Sequence, residues 1–84
     1  MEKLTLGQKI RYFRKIRKIS QFELELTIES AAGSISRIEN GVVNPKKETI
    51  FEIARALNLT SFETAYLFGI IIKNEKLEII KGDL

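Results

Sequence analysis

Apolar positions along the chain recur at helical spacing and divide it into five short amphipathic segments. Leu6, Ile10 and Phe13 stand at i, i+4 and i+7, one apolar face of a helix predicted over residues 6–18. Ser20-Gln21-Phe22-Glu23 then closes that helix and opens another. It has the form of a capping box, in which the Ser hydroxyl accepts the third helical N–H and the Glu side chain reaches back. The second helix, predicted over residues 21–29, turns Leu24 and Ile28 inward; a third, over residues 31–39, does so with Ile35 and Ile38. Ser30 is the best available N-cap for the third helix. Asn40-Gly41 is its stop, both residues tolerating positive φ. After the connector Val42-Val43-Asn44-Pro45, Pro45 suits a helix entrance because an N–H there has no partner to lose. The fourth helix, over residues 46–57, presents Ile50, Ile53, Ala54 and Leu57, and Thr60-Ser61-Phe62-Glu63 is a second capping box that starts a fifth over residues 61–68.

The remaining stretch fits two patterns. Leu67, Ile71, Asn74 and Leu77 make a helical stripe, whereas residues 76–81 alternate as a strand does. No repeat, low-complexity run or internal boundary interrupts the chain. The expected fold is therefore all-α, a five-helix bundle, with residues 1–69 as the domain and residues 70–84 as a C-terminal extension.

Composition narrows the chemistry. The 84 residues suffice for one modest core, and 44% hydrophobic with 30% charged residues describes a globular chain rather than a disordered one. No apolar run approaches the roughly 18 residues of a membrane span, and Met1-Glu2-Lys3-Leu4 lacks a signal-peptide core. With no cysteine or histidine, disulfides, thiol chemistry, the usual zinc ligands and the commonest general base are all missing. A reducing cytoplasm is the expected location. No metal site and no cofactor is expected. No base–nucleophile arrangement and no phosphate-cradling glycine loop stands out, so an enzyme is not expected. No small-molecule ligand can be inferred from the pattern.

The net charge is only +3, but it is unevenly placed. Lys3, Lys9, Arg11, Arg14, Lys15, Arg17 and Lys18 face only Glu2 within the first twenty residues, a local +6, whereas Glu23, Glu25 and Glu29 follow without a positive charge. Such a basic stretch is either a solvated helix face or a surface for a polyanion.

Two short helices joined tightly, the second opening near Ser30, form the arrangement that places a helix in the DNA major groove. Leu6-Gly7-Gln8-Lys9-Ile10-Arg11, Arg14-Lys15, Ser20-Gln21, Leu24 and Ile28 resemble the phage-repressor-type (Cro/C1-type) helix-turn-helix family. So do Ser34-Ile35-Ser36-Arg37-Ile38-Glu39-Asn40-Gly41, Pro45, Glu48-Thr49-Ile50 and Ile53-Ala54-Arg55-Ala56-Leu57. The resemblance covers residues 6–68 without gaps, and residues 35–41 are its most specific part. It implies a five-helix DNA-binding domain whose second and third helices form the helix-turn-helix.

It also implies roles for individual residues. Ala32, Gly33, Ser34, Ser36 and Arg37 match the groove-facing positions of the recognition helix, residues 31–39. Gln21, Arg14, Asn40, Lys46 and Lys47 match positions that meet phosphate, Gln21 at a helix N-terminus where free N–H groups favour an anion. Arg14 and Glu39 also match a structural pair between the first helix and the end of the third. By chemistry Arg37 is the strongest base reader, since its fork can hold guanine O6 and N7 together. The alternative for it is a phosphate- or solvent-facing arginine. Ser34 donates or accepts without much selectivity, and Ala32 and Gly33 offer only a methyl and bare backbone.

Three residues depart from the family. Glu25, Glu29 and Ser30 stand where it has a small residue at the helix crossing, a turn glycine and a small apolar residue. A bare buried carboxylate is too expensive, so Glu25 should reach water or the amides of the third helix, filling space left by Gly33. Expected partners are duplex DNA and a second copy of the chain, because one recognition helix covers few bases. Tyr66, Phe68, Ile70, Ile71, Ile72, Leu77, Ile79 and Ile80 are more apolar material than a five-helix core needs, and part of it is expected to form that dimer contact. The alternative is that it covers the domain's own core or joins a further domain. The expected function is sequence-specific DNA binding as a transcriptional regulator, as a repressor. The alternative is a protein-interaction module, antitoxin-like, that keeps the fold with weak or non-specific DNA binding.

Overall fold

Three of the five helices begin on a reciprocal capping box. Thr5 caps α1 (Leu6–Ile16) with Gln8 as its return partner, Ser20 caps α2 (Gln21–Thr27) with Glu23, and Thr60 caps α5 (Ser61–Leu67) with Glu63. Each satisfies two N–H groups that a helix start otherwise leaves open. The remaining two, α3 (Ser34–Glu39) and α4 (Lys47–Ala56), start on Gly33 and Lys46 without a side-chain cap of their own. The computed structural model describes residues 4–69 and the backbone of Ile72–Lys73 and Lys76–Leu77.

The helices also share one way of stopping. Two residues past each last helical residue the backbone turns left-handed, at Lys18 (φ 60), Glu29 (φ 56), Gly41 (φ 77), Asn58 (φ 56) and Gly69 (φ 82). In the first four, the next N–H reaches back five residues: Ile19 to Arg14, Ser30 to Glu25, Val42 to Arg37 and Leu59 to Ala54, at 2.9–3.0 Å. This is the Schellman arrangement, which satisfies carbonyls left open at a helix end. It corrects two expected boundaries. The first helix ends at Ile16 rather than residue 18, and the second at Thr27 rather than residue 29, because Lys18 and Glu29 carry the turn.

The expected core is the observed one. Ile10, Leu24, Ile35, Ile53 and Leu57 are completely buried, with Phe13, Ile38, Ile50, Ala54 and Leu67 close to it. Leu6 and Ile28 are half-buried against this cluster. Burying each large aliphatic side chain is worth about 1.5–3 kcal/mol, so these residues fix how the five helices pack. Gly7 sets the closest approach. A Cβ on it would run into the carbonyls of Ile38 and Glu39 at the end of α3, the latter at 2.6 Å. Only a glycine lets α1 cross there.

Beyond α5 the chain pairs with itself. Ile72–Lys73 (β1) lies antiparallel to Lys76–Leu77 (β2), with Ile72 opposite Leu77 and Lys73 opposite Lys76. The helical alternative for this stretch is thus corrected, and a strand is present at residues 76–77. Residues 1–3, 70, 71, 74, 75 and 78–84, including Ile71 and Asn74 of the helical stripe and Ile70, Ile71, Ile79 and Ile80 of the expected dimer contact, lie outside the described residues. Among the described residues no helix is long and apolar enough to cross a membrane.

Candidate nucleic-acid interface

The turn between α2 and α3 is built by two left-handed residues. Glu29 (φ 56) ends α2 and Gly33 (φ 84) precedes α3, while the Ser34 N–H donates to the Ala31 carbonyl at 3.1 Å. A helix cannot run through Gly33 in that conformation, so α3 starts at Ser34 and not at residue 31. Ser30 is consequently no N-cap; its hydroxyl shares a 2.7 Å hydrogen bond with the Ser34 hydroxyl. Ala32 and Gly33 stand in the turn ahead of the helix rather than on it, Ala32 exposed and Gly33 half-buried.

Glu25 resolves the most awkward departure from the family pattern. Its side chain is buried, and Oε2 accepts the Ile35 N–H at 3.1 Å. The cap that α3 lacks locally therefore comes from α2, ten residues earlier in the chain. A carboxylate at this end also meets the positive end of the helix dipole. Gly33 does not make room for Glu25 as expected. A Cβ there would instead meet the Arg37 guanidinium, 3.1 Å from Nη1.

The far end of α3 is held through its own last residue, Glu39. Arg14 Nε and Nη2 donate to Glu39 at 2.6 and 3.1 Å, and Nη1 donates to the Ile19 carbonyl at 3.0 Å. The Gln21 amide adds a donor to Glu39 Oε1 at 2.9 Å. Arg14 and Glu39 are both buried, and no buried side-chain polar atom among the described residues lacks a partner. A buried ion pair of this kind is tolerable because its remaining hydrogen-bonding capacity is met. Arg14 is thus spent on structure, and Gln21, half-buried, already holds Glu39 while standing at the start of α2.

Between these ends, Ile35, Ile38 and Glu39 face the core, leaving the other side outward. Arg37 is exposed, its Nη2 3.5 Å from the Ala32 carbonyl. Ser34 and Ser36 are half-buried, and exposed Asn40 donates from Nδ2 to Ser36 Oγ at 3.4 Å. Lys46 and Lys47 lie exposed at the start of α4.

The basic run of α1 divides in two. Lys9 donates to the Tyr66 carbonyl at 2.8 Å and lies 4.4 Å from the centre of its ring, and Arg17 donates to the Leu57 carbonyl and to Glu63. With Arg14, these bind the molecule's own elements, whereas Arg11, Lys15 and Lys18 are exposed. Sequence reasoning missed the inward role of Arg17, which no local pattern signals. It also missed the Thr5–Gln8 capping box, although Thr5-Leu6-Gly7-Gln8 does carry that signal.

A tightly joined helix pair, with an anchored second helix showing an arginine outward, defines a helix-turn-helix domain. A family model described as helix-turn-helix matches residues 10–64. The chain belongs to that family, in its Cro/C1-type branch, and its function is that of a DNA-binding transcription regulator. Neither a curated relative nor a solved structure matches it.

Proposed function

We propose that this chain binds duplex DNA sequence-specifically and acts as a transcriptional repressor, with α3 in the major groove. The observation that carries the reading is the exposure of Arg37 on a helix whose opposite face is locked into the core. Its guanidinium is the one group on α3 able to grip a guanine edge with two donors. Ser34 is a weaker reader, Ser36 and Asn40 flank it, and Ala32 and Gly33 bring backbone near the groove from the turn. Gln21, Asn40, Lys46 and Lys47 contact phosphates, and Arg14 acts on phosphate only through the Gln21 and Glu39 it positions. Residues 1–69 form the DNA-binding domain. Residues 70–84 extend it and contribute to a homodimer, which sets two recognition helices on half-sites about one helical turn apart. The protein works in the cytoplasm by binding alone, without a cofactor.

Selection of duplexes from a random pool tests this reading. The wild type is expected to enrich a two-fold-related site, and Arg37→Ala to lose preference at one base pair per half-site, worth about 1–3 kcal/mol. A uniform loss over all sequences would make Arg37 a phosphate contact.

One observation favours a second reading, a protein-interaction module that retains the fold. The helix offered to DNA has six residues, and two of the five expected base-facing positions lie off it. In that case binding to any duplex would vanish under excess random competitor.

A further inference from the structure

α3 is too short to hold its own direction. An isolated six-residue helix does not persist in water, so its placement comes from what grips it. Ile35 and Ile38 fix its depth in the core, and Glu39 fixes its C-terminal end through Arg14. At the other end there is no side-chain cap within the segment, because Gly33 has none to give. The Ile35 N–H is taken instead by Glu25, a buried carboxylate on α2. Ile35 is flanked in sequence by Ser34 and is two residues from Arg37, so the clamp acts on the turn that carries both outward-facing groups.

We propose that Glu25 is a specificity-positioning residue: its carboxylate clamps the N-terminal turn of α3 to α2 and thereby aims Arg37 and Ser34 at the base edges. The inference rests on the reading of α3 as the groove-facing helix. Glu25 itself touches no DNA in this arrangement. It acts through the Ile35 amide, and what the site requires of it is an acceptor oxygen at that distance rather than a charge. Glutamine keeps such an oxygen, alanine removes it, and aspartate withdraws it by one methylene while keeping the charge. Glu25 on α2 and Arg14 on α1 then grip opposite ends of one short helix, at the Ile35 amide and at the Glu39 carboxylate. Sliding or tilting α3 requires breaking one of these contacts.

The test compares Glu25→Gln, Glu25→Asp and Glu25→Ala with the wild type in two measurements. The first is the ratio of affinities for the duplex selected by the wild type and for a scrambled duplex. Unfolding lowers both affinities by the same factor and leaves their ratio unchanged, so a purely structural role would not move it. The ratio is expected to fall about tenfold in Glu25→Ala and Glu25→Asp and to stay within about twofold of wild type in Glu25→Gln, a tenfold step being about 1.4 kcal/mol. The second is hydrogen exchange of the Ile35 amide, expected to be protected in the wild type and Glu25→Gln. An unchanged ratio in a folded Glu25→Ala overturns the proposal, as does loss of discrimination in a folded Glu25→Gln. Should Glu25→Ala and Glu25→Asp not fold, Glu25→Gln decides it alone. A wild type that prefers no duplex sinks the DNA reading instead. The clamp itself is then judged by whether the Ile35 amide stays protected with glutamine.

Discussion

Arg14 and Glu39 meet in a buried two-pronged ion pair, Nε to Oε2 at 2.6 Å and Nη2 to Oε1 at 3.1 Å, that joins α1 to the end of α3. Around it, the Ile19 carbonyl accepts from the guanidinium and the Gln21 amide donates to the carboxylate. One ion pair thus ties α1, the loop after it, α2 and α3. Removing either partner strands the other charge without solvent, whereas removing both strands neither.

From that follows a coupling experiment. Arg14→Leu and Glu39→Leu should each cost about 3–5 kcal/mol in urea denaturation. The double variant should cost less than the two together, by about 1–3 kcal/mol. Strict additivity would mean that the pair is not energetically joined.

Much of this architecture is legible in the chain because its determinants are local. The capping boxes at Ser20 and Thr60 lie within four residues, and the inward register of Ile10, Leu24, Ile35 and Ile53 follows helical periodicity. What was not legible is non-local or lies in a left-handed backbone. α3 begins three residues later than its sequence suggests because Gly33 ahead of it is left-handed. That Glu25 reaches an amide of this helix is legible from its misfit at the crossing; that it caps the first turn at Ile35 is not. The ends of α1 and α2 were missed for a related reason. Lys18 and Glu29 take the left-handed turn, each followed by an N–H that reaches back to the helix, although neither lysine nor glutamate favours that conformation. The Arg14–Glu39 tie was expected from family resemblance alone; its two residues are 25 positions apart.

Glu29 marks a place where the fold overrides local preference, and this predicts a gain. Its φ of 56° carries a steric cost that glycine does not have. Against this, glycine loosens the unfolded chain. Glu29→Gly should leave a net stabilisation of about 0.5–1 kcal/mol, raising the thermal midpoint by about 2–8 °C for a domain of this size. A lower midpoint would show that the Glu29 side chain contributes more than its backbone strain costs.

Acid should weaken the fold partly through Glu63. Its carboxyl is held below the usual range, chiefly by the Thr60 backbone N–H and further by Arg17 beside it, which together outweigh the opposing effect of burial. A lowered folded-state value means that the stabilisation is complete above the unfolded carboxylate value, about 4.3. It is lost as pH falls through the folded one. Denaturation midpoints followed from pH 7 downward should therefore drop more steeply below about pH 4.3 in the wild type than in Glu63→Gln. Parallel acid limbs would remove Glu63 from the account.

Lys46 and Lys47 test how the domain holds the DNA backbone, separately from how it reads bases. Both are exposed at the start of α4, beyond the end of α3, and neither takes part in a salt bridge found among the described residues. Their structural cost of removal should be small. A phosphate contact releases condensed counterions, so each one adds about 0.9 to the steepness with which binding falls as salt rises. Lys46→Ala with Lys47→Ala should then flatten that dependence by about 2 and weaken all duplexes alike. Sequence preference should survive, because the proposed function places it on Arg37 and Ser34. If instead the slope holds and one base position loses its preference, these lysines reach into the groove, and the division between gripping and reading falls elsewhere on the surface.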